Sequence, residues 1–262
     1  MNMFKTLLLL LIPASVFAGS PQFTSITDSD MTDITKGLGA NFVHNSMMPA
    51  SKMGTIFGFQ LGVVAAQTAV PKINDIVKRN TGASLNDAYN AGIMGAVGIP
   101  FGISFEAVIM PTLKSNSASA SASSFGLKWN INDVIPILPI NLALRGIYSS
   151  ADFSFDQTIS AATETVKNTT TVSGVQLLLS PMIPVVEPYV GVGLLTAKDT
   201  LKFSGTTQFD PTFSTSQEES KTVSGTQILA GVELNLMVLK LGAEYSNAFG
   251  NSRYGIKLAF GF

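Results

Sequence analysis

The chain has 262 residues, 46% apolar and 13% charged, with a formal net charge of −1. The charged share is about half the usual one, which argues against disorder and against a broad basic face for nucleic acid. With no cysteine, disulfide frameworks, thiolate nucleophiles and cysteine metal sites are excluded.

The chain opens with MNMFKTLLLLLIPASVFAGS: Lys5, an apolar run from Leu7 to Ile12, then Ala18 and Gly19. This pattern predicts a secretory signal peptide over residues 1–18, cleaved after Ala18. The run is too short to span a bilayer as a helix, and no later stretch is long enough either. An exported, apolar chain of this kind is a secreted β-protein or a transmembrane barrel, whose alternating strands escape hydropathy scans.

Residues 19–53 are not strand-like and are expected to form an N-terminal plug or a periplasmic segment. Ser25 or Asp28 suits the cap of a short helix through about Lys36, ended by Gly37 and Gly39. From residue 54 to 262 the pattern has period two. Ten strands are predicted, at 54–67, 91–99, 101–112, 117–131, 138–152, 167–181, 185–199, 221–236, 238–247 and 251–262. The connections after the even-numbered strands are short. Those after odd-numbered strands include long polar ones at 68–90, 153–166 and 200–220. Within 68–90, Pro71 suits the first position of a helix, with Ile73, Ile76 and Val77 on one face. Short turns at one end and longer polar loops at the other fit an outer-membrane barrel with periplasmic termini. The expected fold is therefore an all-β, antiparallel, up-and-down transmembrane barrel of about ten strands with a plug-like N-terminal segment.

Strand parity divides the residues. In the last strand Tyr254, Ile256, Leu258, Phe260 and Phe262 are expected to face lipid, while Arg253 and Lys257 face inward. The same reading puts Glu106, Lys128, Arg145, Glu187, Glu233, Lys240 and Glu244 in the lumen. A Lys or Arg on the lipid face near the midplane would cost about 2–4 kcal/mol. These nine charges either fill the lumen as an ion-pair network or form a polar constriction that selects or gates. Glu233 and Glu244 are the expected partners of Lys257. Inward positions nearer the outer end are apolar: Val64, Val108, Met110, Ile147, Leu195 and Leu229. They either pack the interior or line an outward-open pocket for a hydrophobic ligand. Tyr148, Phe153, Tyr254 and Phe125 are expected at the outer rim, and Trp129 and Phe262 at the periplasmic rim.

Catalytic signals are weak. His44 is the single histidine, so a shared metal site is not expected, and a Ser–His–acid triad would depend on it alone. The glycine patterns GIMGAVG and GVGLL do not open helices after strands, so they are not nucleotide loops. No cofactor is expected, and an enzyme is not.

The leader, the ten alternating segments and the terminal LAFGF resemble bacterial outer-membrane β-barrels. That resemblance implies a bacterial outer-membrane location, contact with outer-membrane lipids and recognition of the C-terminal strand by the barrel-insertion machinery. GLGANFVHNSMMPAS at 37–51 resembles the hatch of the long-chain fatty-acid transporter (FadL-like) family of hydrophobic-compound channels, with Met48, Pro49 and Ala50 at its Asn-Pro-Ala motif. This implies a lumenal hatch and passage of hydrophobic compounds. The expected function is a narrow channel or binding barrel for small hydrophobic compounds. The alternatives are a non-transporting barrel that stabilises the membrane or makes surface contacts and, last, a lipid-modifying enzyme using His44.

Overall fold

The computed structural model describes residues 27–262 apart from 55, 83, 86, 116–117, 134–138, 160–161, 184 and 208–213. The expected signal peptide lies outside the described residues. Ten antiparallel strands close into one barrel. They are β1 Gly58–Ala69, β2 Asp87–Ile99, β3 Ile103–Ser115, β4 Ala118–Asn130, β5 Ile140–Ile159, β6 Ala162–Pro181, β7 Val186–Thr207, β8 Ser214–Leu236, β9 Leu239–Ala248 and β10 Asn251–Gly261. Helix α1 (Asp28–Phe42) precedes them, and α2 (Pro71–Thr81) lies between β1 and β2. No described helix is long and apolar enough to cross a membrane.

The seam joins β1 to β10 from Gln60↔Gly261 to Thr68↔Arg253. Phe59 and Phe262 exchange both backbone N–H···O bonds at 3.0 Å, and their rings meet edge to face at 4.7 Å. Closure leaves no free sheet edge, the condition for placing strands in hydrocarbon. The one break in the β3–β4 ladder falls between Met110 and Leu113. Pro111 sits there and has no N–H to give.

Alternation gives the wall two chemistries. Leu61, Phe105, Leu127, Val192, Leu194, Ile228, Ile256 and Phe260 form part of an exposed apolar belt. Glu106, Lys128, Arg145, Glu187, Glu233, Glu244, Arg253 and Lys257 are all buried inside. Lys240 is half-buried.

The two ends differ as a membrane barrel requires, but the cause is not the one expected. One end carries tight turns, such as Met237–Val238. At the other end β5 to β8 are 20 to 23 residues long and rise beyond their 10- to 13-residue neighbours. Most of 153–166 and 200–220, expected as loops, is therefore strand. Serine and threonine there weaken the apolar alternation without interrupting the ladder.

At the loop end Phe249 and Gly250 form a two-residue turn with φ of 52° and 83°. A left-handed phenylalanine costs roughly 1–2 kcal/mol. Its ring offsets this by folding inward onto Ala40, Val43, Ile147, Leu195 and Val223. A Cβ on Gly225 would meet that ring at 2.5 Å.

Candidate functional site

The lumen is occupied by the chain itself. Helix α1 starts at the loop end, where Thr27 caps it in a capping box with Asp30. Asp28 pairs with Lys221 of β8 at 2.7 Å, and Asp30 with Arg79 of α2 at 2.6 Å. The Arg79 bond and the cap hold the Asp30 carboxyl below its ordinary value. This corrects two expectations. Thr27, rather than Ser25 or Asp28, is the cap. The helix runs past Gly37 and Gly39 to Phe42. Of the two placements expected for this segment, the described part takes that of a plug, entering from the loop end.

The glycines do not stop the helix because they serve packing. A Cβ on Gly37 would lie 2.6 Å from Ile73 Cδ1, and one on Gly39 would lie 2.8 Å from Ala197 Cβ. Both are closer than real contacts allow.

After α1 the chain drops through the barrel as a strap, residues 43–53, with no strand pairing. Charged and amide side chains of the wall hold its main-chain carbonyls. Arg253 Nη1 donates to Val43 O at 2.7 Å and Lys257 Nζ to Met47 O at 2.7 Å. Lys128 Nζ donates to Pro49 O at 2.7 Å and Ser51 O at 3.1 Å, and Asn130 Nδ2 to Ala50 O at 2.7 Å. Buried carbonyls need such donors because no water competes for them.

Midway, His44 is a joint between strap and wall. Its Nε2 lies 3.1 Å from Glu106 Oε2, and its Nδ1 lies 2.9 Å from Ser124 Oγ. A carboxylate only accepts, so Nε2 carries the proton, and in the neutral ring Nδ1 accepts from Ser124. Glu106 Oε2 also accepts from Ser46 Oγ at 2.6 Å and lies 3.4 Å from Arg145 Nη1. Arg145 Nε is fixed by Gln176 at 2.6 Å. Serine, imidazole and carboxylate thus stand in relay order. All three are buried, and the carboxylate is shared with Arg145 and a strap serine, so the cluster ties the strap to β3, β4 and β5.

The other predicted charges distribute as follows. Lys257 pairs with Glu233, whereas Glu244 takes the Tyr189 hydroxyl at 2.9 Å rather than Lys257. Glu187 accepts from Ser180 at 2.7 Å and from the strap's Ser51 at 2.9 Å. Lys240 donates to Asn235 near the turn end.

The predicted apolar set does not line one open pocket. Ile147 and Leu195 pack with Ala40, Val43 and Phe249. Val64 and Val108 pack with Met47, Met48 and Met53. Leu229 packs with Ala50, Leu178 and Tyr189. Met110 is buried as well. The strap fills the space that parity alone left empty. A hollow of about 400 Å³ remains at the turn end, between Met48, Met53, Lys128, Glu187 and Phe262.

The strap also explains inward glycines. A Cβ on Gly126 would meet His44 Nε2 at 2.7 Å, and one on Gly255 would meet Met47 Cε at 2.5 Å. One on Gly58 would meet Met53 Cγ at 2.7 Å. The barrel interior is a mould of the strap. Sequence reasoning missed Asn41, Ser46, Asn130, Gln176 and Tyr189; the signal within reach was glycine at inward parity.

A closed antiparallel barrel with an apolar belt, a polar interior and its own N-terminal strap threaded through it defines a plugged barrel of the outer-membrane type. The chain belongs to DUF6588, a family of unknown function, which matches residues 4–260. No curated protein matches it. Among solved structures it is similar to the translocator domain of autotransporter NalP from Neisseria meningitidis, at 13% identity and TM-score 0.44, covering 96% of this chain and 99% of that one. It is similar to the outer membrane protease OmpT from Escherichia coli, at 10% identity and TM-score 0.38, covering 83% and 97%. It is also similar to Ail, the attachment invasion locus protein of Yersinia pestis, at 12% identity and TM-score 0.32, covering 80% and 100%. The barrel itself is established by its own strand ladder.

Proposed function

We propose that the protein sits in the bacterial outer membrane with its tall loop end outward, as a closed passage for small hydrophobic compounds gated by the strap. One observation carries this reading. The strap is held by side-chain donors and not by strand pairing, so it can leave while the closed ladder β1 to β10 stays whole. The tunnel it would vacate keeps the apolar wall residues that now pack against it, among them Val64, Val108, Ile147, Leu195 and Leu229. In this reading outer-membrane lipids contact the belt, and the C-terminal strand is the element that insertion machinery engages.

The test is a reversible lock. A Cβ on Gly242 would lie 3.6 Å from Met47 Cβ, inside the disulfide range, and the protein has no native cysteine to interfere. In Met47→Cys/Gly242→Cys cells, oxidation should stop uptake of a hydrophobic fluorescent probe and reduction should restore it. Uptake insensitive to the lock removes the gate. It would favour the second reading, a non-transporting barrel, which the buried pairs Arg145–Glu106 and Lys257–Glu233 beside the strap support. The relay of Ser124, His44 and Glu106 supports, in third place, a lipid-modifying enzyme. In the gate reading it is a joint, and a serine-directed fluorophosphonate should leave Ser124 unlabelled.

A further inference from the structure

The outer face of the tall wall changes character with height. On β7 the outward residues run Val190, Val192, Leu194, then Thr196, Lys198, Thr200 and Lys202. On β6 they run Leu177, Val175, then Ser173, Thr171, Thr169 and Lys167. On β8 Ile228 gives way to Thr226, Ser224, Thr222 and Ser220. An apolar belt is followed by a hydroxyl band and then by lysines. Lys198 stands four residues beyond Leu194, roughly 13 Å along the strand and about 10 Å in height once strands tilt. The headgroup layer adds about 5–8 Å to each side of a bilayer's hydrocarbon, so Lys198 stands at its outer edge.

The lysines are placed awkwardly for a bare protein surface. Lys167 and Lys202 are direct cross-strand partners, an arrangement that repels. Each has one acidic neighbour, Asp152 at 3.6 Å and Glu218 at 2.9 Å, on the flanks away from the other lysine. Both ammonium side chains remain more than half exposed. Lys198, on the same face, has no carboxylate within ion-pair distance among the described residues. Anionic groups seated beside Lys167 and Lys202 and beside Lys198, about 13 Å lower on β7, would relieve the repulsion, and neighbouring Thr169, Thr171, Thr200 and Thr222 would present hydroxyls to them. A phosphate accepts from both lysine and hydroxyl donors. Sugar hydroxyls match the band beneath.

We propose that Lys167, Lys198 and Lys202, with the surrounding threonines, form a recognition surface for the phosphorylated sugar headgroup of an outer-leaflet glycolipid. This surface lies on the outside of the barrel and acts independently of the strap.

The test uses the full-length barrel in detergent, with a bis-phosphorylated diglucosamine glycolipid and its phosphate-free form as probes and binding read by native mass spectrometry. The wild type should bind the phosphorylated lipid at least roughly tenfold more tightly, since each lysine near an anionic surface contributes about fivefold. Lys167→Gln/Lys198→Gln/Lys202→Gln should lose that preference but still bind both lipids through the belt. Should this variant fail to fold, Lys198→Gln alone, which breaks no ion pair, should lose several-fold while Lys198→Arg keeps the preference. Equal binding of the two lipids by the wild type, or an unchanged preference in the glutamine variants, overturns the proposal. So does full displacement by millimolar inorganic phosphate, which would make this a general anion site.

Discussion

Gly126→Ala should release the strap without touching the strand ladder. The added methyl carbon would sit 2.7 Å from His44 Nε2, 3.0 Å from His44 Cδ2 and 3.0 Å from Glu106 Oε2. The imidazole must swing away, losing its bonds to Glu106 and Ser124. A bond to a charged group contributes about 1.5–3 kcal/mol and a neutral one about 1 kcal/mol. The docked strap should therefore weaken by roughly 2–4 kcal/mol, which raises its undocked fraction by about 30- to 700-fold. Ala50 is fully buried on the strap, so Ala50→Cys makes a single, nearly isosteric reporter in a chain without cysteine. Maleimide labelling of that thiol should accelerate by the same factor. His44→Ala should accelerate it comparably, and Gly126→Ala added to His44→Ala should do little more, because the clash has lost its partner. Additive effects in the double variant would refute the reasoning and place the glycine's role in the wall itself.

Two further outcomes follow from the threading direction and from the mouth of the barrel. Ser29 is exposed at the start of α1, beside the Lys221 and Arg79 contacts of its neighbours. A cysteine there should react with a membrane-impermeant maleimide on intact cells, and protection until the envelope is opened would invert the barrel. The Asp30 carboxyl is held down first by the Arg79 hydrogen bond. A lowered native value means that the pair stabilises above the ordinary aspartate value of 3.8 and that this contribution fades as pH falls through the native value. Amide exchange in the first turn of α1, corrected for its intrinsic pH dependence, should lose protection as the pH falls through 3.8 and below. The change should be modest, since Arg79 is largely exposed. Asp30→Asn should remove the pH dependence; exchange that keeps it would assign the effect elsewhere.

The wall was legible in the sequence because lipid and lumen impose opposite demands on alternate residues. Val192 and Leu194 against Gly191 and Gly193, or Ile256 and Leu258 against Lys257, cannot be exchanged between faces. Where those demands fade, the reading fades too. Above the belt the outer face of β6 to β8 turns polar and the inner face mixes apolar with polar residues, as Val166, Asn168, Thr170 and Val172 do on β6, so Thr165, Thr200 and Ser220 looked like loop. A plug was expected over 19–53, but the strap's path and partners were illegible for another reason. Residues 43–53 are held by partners 60 to 210 positions away, and an extended segment bound through its carbonyls has no period to detect. Phe249 carries no sequence signal for its place: its left-handed backbone turns the ring into the lumen.

The inward glycines join these two halves. A barrel of this size could fill its interior with larger side chains, and strand interiors are weakened by glycine. Gly58, Gly126, Gly242 and Gly255 nevertheless stand at inward positions beside Met53, His44 and Met47. The wall gives up its own packing there to admit a segment it does not pair with. Cations such as Lys128 and Arg253, which reach no carboxylate within ion-pair distance among the described residues, instead ligate that segment's carbonyls. Rigidity would have been served better by larger residues and by charge pairs within the wall. An interior shaped around a covalently attached but unpaired occupant favours a strap that can depart and return to one register, which is what a gate requires.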